Sequence, residues 1–247
     1  MNKNGKDSRR KKIVASIVFV SFILSICYVI FRIGSAPSES TELNVRIKSD
    51  YVLILLQCIV GLIAMELPNI ISRKMKLEIP SNMYLAFLIF LYCAIYLGEV
   101  RNFYYLYEHW DVILHAFSGG MLGALGFSVV SILNKEKKTY VDLSPLFVAV
   151  FAFAFAVTLG VVWEIYEYTL DGLLGMNMQK FALSNGTMLI GREAVTDTMK
   201  DLIVDSIGAA TMCIIGYISL KYKTGWISNL LLKFKDEDKL KKLDRGK

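Results

Sequence analysis

Six long apolar blocks are the feature that most constrains how this chain folds. They cover residues 13–31, 51–70, 83–98, 112–133, 146–163 and 202–220. Most approach the roughly 20 apolar residues that a helix needs to cross a bilayer. The chain is 55% hydrophobic, above the roughly 45–50% of soluble domains. The sequence therefore predicts an all-α, polytopic membrane protein with six transmembrane helices.

The distribution of basic residues predicts how these helices are oriented. Segments 1–12, 71–82, 134–145 and 221–247 hold 21 Lys or Arg residues, whereas the segments that alternate with them hold 7. Because cytoplasmic loops are enriched in Lys and Arg, we expect both termini in the cytoplasm. We predict a basic cytoplasmic N-terminus at 1–12, a single transmembrane helical domain at 13–220 and a charged cytoplasmic tail at 221–247. The first block is expected to be an uncleaved anchor rather than a secretory signal.

This charge pattern also bears on the partners of the protein. The net charge of +6 is explained by orientation signals, with some attraction to anionic headgroups. We therefore expect the lipid bilayer, and not nucleic acid, as the partner. The cysteines lie inside apolar blocks without paired spacing, so we expect buried small hydrophobes rather than disulfides or a metal site. They are Cys27, Cys58, Cys93 and Cys213.

Ionisable residues enter the later blocks from the side predicted to face outside. They are Glu99 and Arg101 after the third block, Asp111 and His115 in the fourth, Glu164, Glu167 and Asp171 in the fifth, and Asp197, Asp201 and Asp205 in the sixth. Residues three or four apart share a helix face, so each of the last three helices carries a polar row. The helical rise predicts a deep layer of His115, Glu164 and Asp205, with Asp111, Glu167 and Asp201 above it.

A charge at the bilayer centre costs at least a few kcal/mol, so such groups normally face the interior of a helix bundle and pair there. We therefore predict an outward-facing polar site between the fourth, fifth and sixth helices. The alternative is a set of independent structural residues. Aspartate is a common helix cap, which would explain Asp197 and Asp111 but not Asp205 or Glu164. A small-residue pattern that includes Gly119 predicts close helix packing beside the site.

Three stretches, EHWDVILHAFSGG, WEIYEYTLD and DTMKDLIVDSIGA, resemble the YjdF-like family of small bacterial inner-membrane proteins. A fainter similarity to VanZ-like membrane proteins rests on the Asp-x-x-x-His and Asp-x-x-Gly-Ala patterns. The resemblance covers roughly residues 50–220 and implies a multi-pass protein of the bacterial plasma membrane. It carries no established reaction. The family's recurring polar residues match Asp111, His115, Glu164, Glu167, Asp197, Asp201 and Asp205.

Several carboxylates with one imidazole are suitable ligands for Mg²⁺, Mn²⁺ or Zn²⁺. The first hypothesis is a divalent metal site that processes a lipid or lipid-linked headgroup. Its metal ligands would be Asp111, His115, Glu164, Glu167, Asp201 and Asp205, with catalytic roles for His115, Glu164 and Asp205. The alternatives are a cation- or proton-coupled transporter or relay, and a non-catalytic accessory or resistance protein. Whether the protein is an enzyme stays open.

The outer loop 172–196 belongs to the same hypothesis. Loops of this length often cover functional sites, so we predict a lid, with ordinary surface packing as the alternative. If no metal binds, Arg192 in this loop is the expected counter-ion for the acidic cluster.

Overall fold

The computed structural model describes residues 3–38, 45–136, 143–183 and 186–235. It contains helices α1 (Lys3–Ser35), α2 (Lys48–Lys74), α3 (Ser81–Leu91), α4 (Phe103–Leu106), α5 (Trp110–Glu136), α6 (Pro145–Leu174) and α7 (Thr196–Lys221). A π-helical segment, Tyr92–Val100, continues α3, and a 3₁₀ turn, Glu193–Val195, precedes α7. Two short strands, β1 (Leu77–Glu78) and β2 (Lys233–Phe234), complete the fold.

The prediction of six membrane-spanning helices is confirmed. Within the described ranges, six helical segments are long and apolar enough to cross a bilayer. The third is the shortest: α3 and its π-helical continuation together supply 20 residues, about the length that a span needs. Capping residues explain both ends of α6. The Ser144 hydroxyl caps its N-terminus by accepting from the backbone N–H of Phe147 at 3.2 Å. Gly175 ends it in the left-handed conformation.

The helices pack in two groups. Helices α1, α2 and α3 contact one another, and so do α5, α6 and α7, with α3 also touching α5. Phe22 and Leu88 are fully buried in the first group, and Ala152 in the second. Many large apolar side chains on the outside remain exposed, as expected of surfaces that face lipid.

The two ends of the bundle are held by contacts between distant segments. At the end predicted to be cytoplasmic, β1 pairs antiparallel with β2, so part of the predicted tail packs against the loop after α2. Leu232 is buried there, and residues 236–247 of the tail lie outside the described residues. At the opposite end, called the outer end below, Arg46 donates to the backbone oxygens of Glu99 and Val100. The predicted alternation of loops between two ends agrees with both contacts.

The cysteine prediction needs one correction. All four are free thiols, and Cys58 and Cys213 are buried as expected. Cys93 is half-buried. Cys27 is exposed on α1, because its helix face turns toward lipid rather than toward α2 and α3.

Candidate functional site

Three of the predicted metal ligands converge at the outer end between α5 and α7. One ligand atom from each of Asp111, His115 and Asp201 lies within 4.8 Å of the other two. His115 Nε2 is 3.7 Å from Asp111 Oδ1 and 3.8 Å from Asp201 Oδ2. These separations are too long for hydrogen bonds, but they suit ligands that each approach one ion to about 2.1 Å. Asp201 is 3% exposed and His115 is 9% exposed, whereas the Asp111 side chain is 20% exposed, so the group is partly shielded from solvent.

Asp205 lies on the other side of the imidazole ring. Its Oδ2 is 3.3 Å from His115 Nδ1, and its Oδ1 accepts a hydrogen bond from the Ser118 hydroxyl at 2.9 Å. A neutral His115 with its proton on Nδ1 donates to Asp205 and turns the lone pair of Nε2 toward Asp111 and Asp201. Carboxylates commonly orient metal-binding histidines in this way. The predicted ligand Asp205 is therefore placed to orient His115, and Ser118 becomes part of the site through its hydrogen bond to Asp205.

Small residues allow α5 and α7 to bring these groups together. A Cβ on Gly119 would collide with the backbone carbonyl oxygen of Asp205, and a Cβ on Gly208 would collide with that of Ala116. On α6, a Cβ on Gly160 would lie 2.9 Å from Asp205 Oδ2. The glycines therefore serve close approach between backbones, as the small-residue pattern predicts.

The acidic row of α6 is buried but lies outside the compact group of three ligand atoms. The row consists of Glu164, Glu167 and Asp171. Asp171 accepts backbone N–H bonds from Met178 at 2.7 Å and Gln179 at 3.0 Å, which fixes the start of the outer loop. Glu167 accepts from the Trp163 indole N–H at 2.9 Å. Glu164 is 4% exposed, and neither of its oxygens makes a hydrogen bond within the described ranges. Neither Glu164 nor Glu167 joins the group with ligand atoms within 4.8 Å.

The expected single layer of His115, Glu164 and Asp205 is therefore wrong in detail. Asp205 faces Gly160, which is one helical turn below Glu164. The neighbour of Glu164 on α7 is Thr198, well above Asp205. Helix rise gives the height of a residue within its own helix, whereas the offset between α6 and α7 depends on the packing of the two helices.

Lys180 is the cation that the sequence reasoning missed. Its Nζ donates to Asp111 Oδ2, and it is 3.1 Å from Asp197 Oδ1. Burial lowers the pKa of Lys180, but the Asp111 and Asp197 carboxylates outweigh burial and raise it overall. The expected counter-ion, Arg192, instead has an exposed side chain. Position 180 gave no periodic signal, because a loop residue is brought to a site by the path of the chain.

The loop that carries Lys180 covers part of the outer end. The Gln179 amide donates to the Thr198 hydroxyl at 2.9 Å, so neighbouring residues of this loop contact both α6 and α7. Asn177 donates to the Ala182 carbonyl oxygen at 2.6 Å and shapes the loop internally. The lid interpretation stays a prediction, and residues 184–185 lie outside the described residues.

Comparison with known proteins places the chain among membrane proteins. Residues 15–222 match a family model described as predicted membrane protein, DUF2238. The chain belongs to the DUF2238 family. An uncharacterized protein of Thermotoga maritima is 31% identical over 161 residues, which covers 64% of this chain and 72% of the relative. No solved structure matches. Membership of DUF2238 agrees with a multi-pass membrane protein, whereas neither match supports the VanZ-like similarity.

Proposed function

We propose that this DUF2238 protein binds one divalent cation between α5 and α7 at the outer face of the bacterial plasma membrane. Asp111 Oδ1, His115 Nε2 and an Asp201 carboxylate oxygen are the proposed ligands. The observation that carries the proposal is the close approach of three such atoms in a partly shielded position. Two carboxylates and an imidazole favour Mn²⁺ or Zn²⁺, and Mg²⁺ is a weaker fit because of the nitrogen ligand.

The surroundings of the ligands support this assignment. The Asp205 carboxylate contacts Nδ1 of His115, which leaves Nε2 directed at the proposed ion. The Lys180 ammonium group forms an ion pair with Oδ2 of Asp111, whereas Oδ1 of Asp111 faces His115. Lys180 and a bound ion therefore use different oxygens of the same carboxylate, and both can be accommodated. Without added positive charge, crowded carboxylates repel one another and take up protons.

We further propose that the bound cation acts on a lipid or lipid-linked headgroup. A divalent ion supplies a polarised oxygen or an activated water at neutral pH. The site lies at the outer end of membrane-spanning helices, where the headgroups of the outer leaflet are found. In this proposal, the carboxyl group of Glu164 is the nearby proton-accepting or cation-binding group, since it is not committed to another hydrogen bond.

Metal analysis of the purified protein tests the cation directly. One Mn²⁺ or Zn²⁺ per chain is expected, with chelation lowering the melting temperature and added ion restoring it. His115→Ala should abolish this response, because it removes the nitrogen ligand. Glu66→Gln is the matched control, since Glu66 is a membrane-segment acid near the cytoplasmic end that accepts from Asn69. A wild-type melting curve indifferent to chelator, with no bound ion, contradicts the proposal.

The contacts of Lys180 favour one second candidate, a non-catalytic accessory protein. The Lys180 ammonium group already neutralises part of the cluster through Asp111 and Asp197. In that case the polar site is an internally paired structural unit. Lys180→Met then lowers stability strongly, and added divalent ions do not restore it.

A further inference from the structure

Residues 222–235 cross the end of the bundle that is predicted to be cytoplasmic, and they are called the strap below. Ile227 of the strap is buried in one cluster with side chains of α5 and α6. The backbone N–H of Leu232 donates to the Ser128 hydroxyl of α5 at 3.1 Å. Further along, β2 pairs with β1, which follows α2. The strap therefore joins the group of α5, α6 and α7 to the group of α1, α2 and α3.

The strap brings basic residues that are distant in sequence to one surface. The backbone N–H of Lys235 donates to the Lys76 carbonyl oxygen at 2.9 Å, and the Lys235 ammonium group donates to the Ser72 carbonyl oxygen at 3.2 Å. Lys233 lies opposite Glu78 in the paired strands. Together with the end of α2, these lysines form what is called the basic surface below. It consists of Arg73, Lys74, Lys76, Lys233 and Lys235, which are exposed except for the half-buried Lys235.

Carboxylates do not neutralise the basic surface within the part of the chain that the structure describes. The ion pairs there all involve His115 or Lys180, at the outer end. Glu78 lies opposite Lys233 but is not among the carboxylates of these pairs. Like charges that are held close together repel one another. The basic surface therefore favours a partner that carries negative charge.

Two large aromatic side chains at the start of the strap indicate which partner is within reach. Tyr222 is 65% exposed and Trp226 is 61% exposed, and both follow directly on the last residue of α7, Lys221. Tyr and Trp next to the end of a membrane span are typical of the headgroup level, where the ring is in an apolar layer and its polar tip is in water. Exposed aromatic and basic side chains on one segment are likewise typical of segments that lie in the headgroup layer.

We infer that the basic surface binds the headgroups of anionic phospholipids in the leaflet at this end of the bundle. Clusters of roughly four to eight Lys or Arg residues directly beside a membrane span bind anionic lipid, and each residue strengthens binding about fivefold. A headgroup that contacts both the strap and the end of α2 also ties the two helix groups together. The inference is independent of the proposed cation site, which lies at the opposite end of the bundle.

Lipid retention by the delipidated full chain in detergent micelles tests the inference. Dioleoyl phosphatidylglycerol, which is anionic, and dioleoyl phosphatidylcholine, which has no net charge, are titrated separately, and bound lipid is counted by native mass spectrometry. We expect the wild type to prefer phosphatidylglycerol. The double variant Lys76→Gln, Lys233→Gln should bind it about 25-fold more weakly and bind phosphatidylcholine as before. The matched control is Arg192→Gln, Lys200→Gln, which removes the same charge from exposed side chains at the outer end and should keep the preference.

Thermal melting gives a second readout and shows whether the variants fold. Phosphatidylglycerol should raise the melting temperature of the wild type and of the outer-end control, and should raise that of Lys76→Gln, Lys233→Gln less. Equal binding of the two lipids by the wild type overturns the inference, as does an equal loss of phosphatidylglycerol in both double variants. Inorganic phosphate that binds as tightly as the lipid also overturns it, because the membrane would then play no part. A dimer that forms through the basic surface and excludes the lipid in native mass spectra has the same consequence.

Discussion

Substitution Asp205→Asn separates a residue that orients His115 from a residue that binds the cation itself. Asp205 Oδ2 contacts His115 Nδ1, on the ring side opposite Asp111 and Asp201. Asparagine keeps the shape and an acceptor oxygen but removes the negative charge. The variant should therefore fold, retain the histidine near its position and bind the ion more weakly.

The expected loss follows from the geometry of this contact. Removal of groups that orient a metal-binding histidine typically reduces metal affinity about 10- to 100-fold. The distance from His115 Nδ1 to Asp205 Oδ2 is 3.3 Å, longer than the roughly 2.7–2.9 Å of strong charge-assisted bonds. We therefore expect the lower end, about tenfold, which corresponds to about 1.4 kcal/mol.

Isothermal titration with Mn²⁺ or Zn²⁺ in detergent micelles measures this change. Asp111→Asn should produce a larger loss, because Asp111 is a proposed ligand. Asp197→Asn is the matched control: its carboxylate contacts Lys180 and does not belong to the ligand group, so affinity should stay near that of the wild type. A loss in Asp205→Asn as large as in Asp111→Asn would refute the reasoning and make Asp205 a ligand, and unchanged affinity would refute the orienting role.

Three further results are expected. Gly119→Ala should lower the melting temperature by the equivalent of about 1–3 kcal/mol, since its Cβ meets the Asp205 backbone, whereas Gly172→Ala, with open space around it, should be neutral or slightly stabilising. Lys180→Met should speed hydrogen exchange of the outer loop at pH 7–9. The pKa of Lys180 is raised in the folded protein, so its contribution to stability is fully present below the unfolded pKa of about 10.4 and is lost only as pH rises through the folded pKa. Asn185→Cys should react with an impermeant thiol reagent in intact cells and Lys223→Cys only after permeabilisation; labelling of Lys223→Cys in intact cells would reverse the assigned orientation.

The sequence was most informative where the signal was local. Length and apolar content predicted each membrane span, because the hydrocarbon core imposes a minimum on every helix independently. Four-residue spacing likewise predicted that Asp111 and His115 share a face of α5, and His115 Nε2 lies 3.7 Å from Asp111 Oδ1. The same spacing predicted that Asp201 and Asp205 belong to one row of α7, and both contact His115.

The sequence by itself determined the class of protein and the polar rows, since hydropathy, basic-residue bias and helical periodicity are properties of neighbouring residues. Only the tertiary structure decided how the rows meet. The relative height of α6 and α7 places Glu164 above Asp205. Asp205 contacts Nδ1 of His115, whereas Asp111 and Asp201 lie near Nε2 on the opposite edge of the ring. Lys180 reached the cluster through the path of a loop, which no periodic pattern encodes. Such contacts depend on helix offsets and chain path, whose energies come from packing between residues distant in sequence.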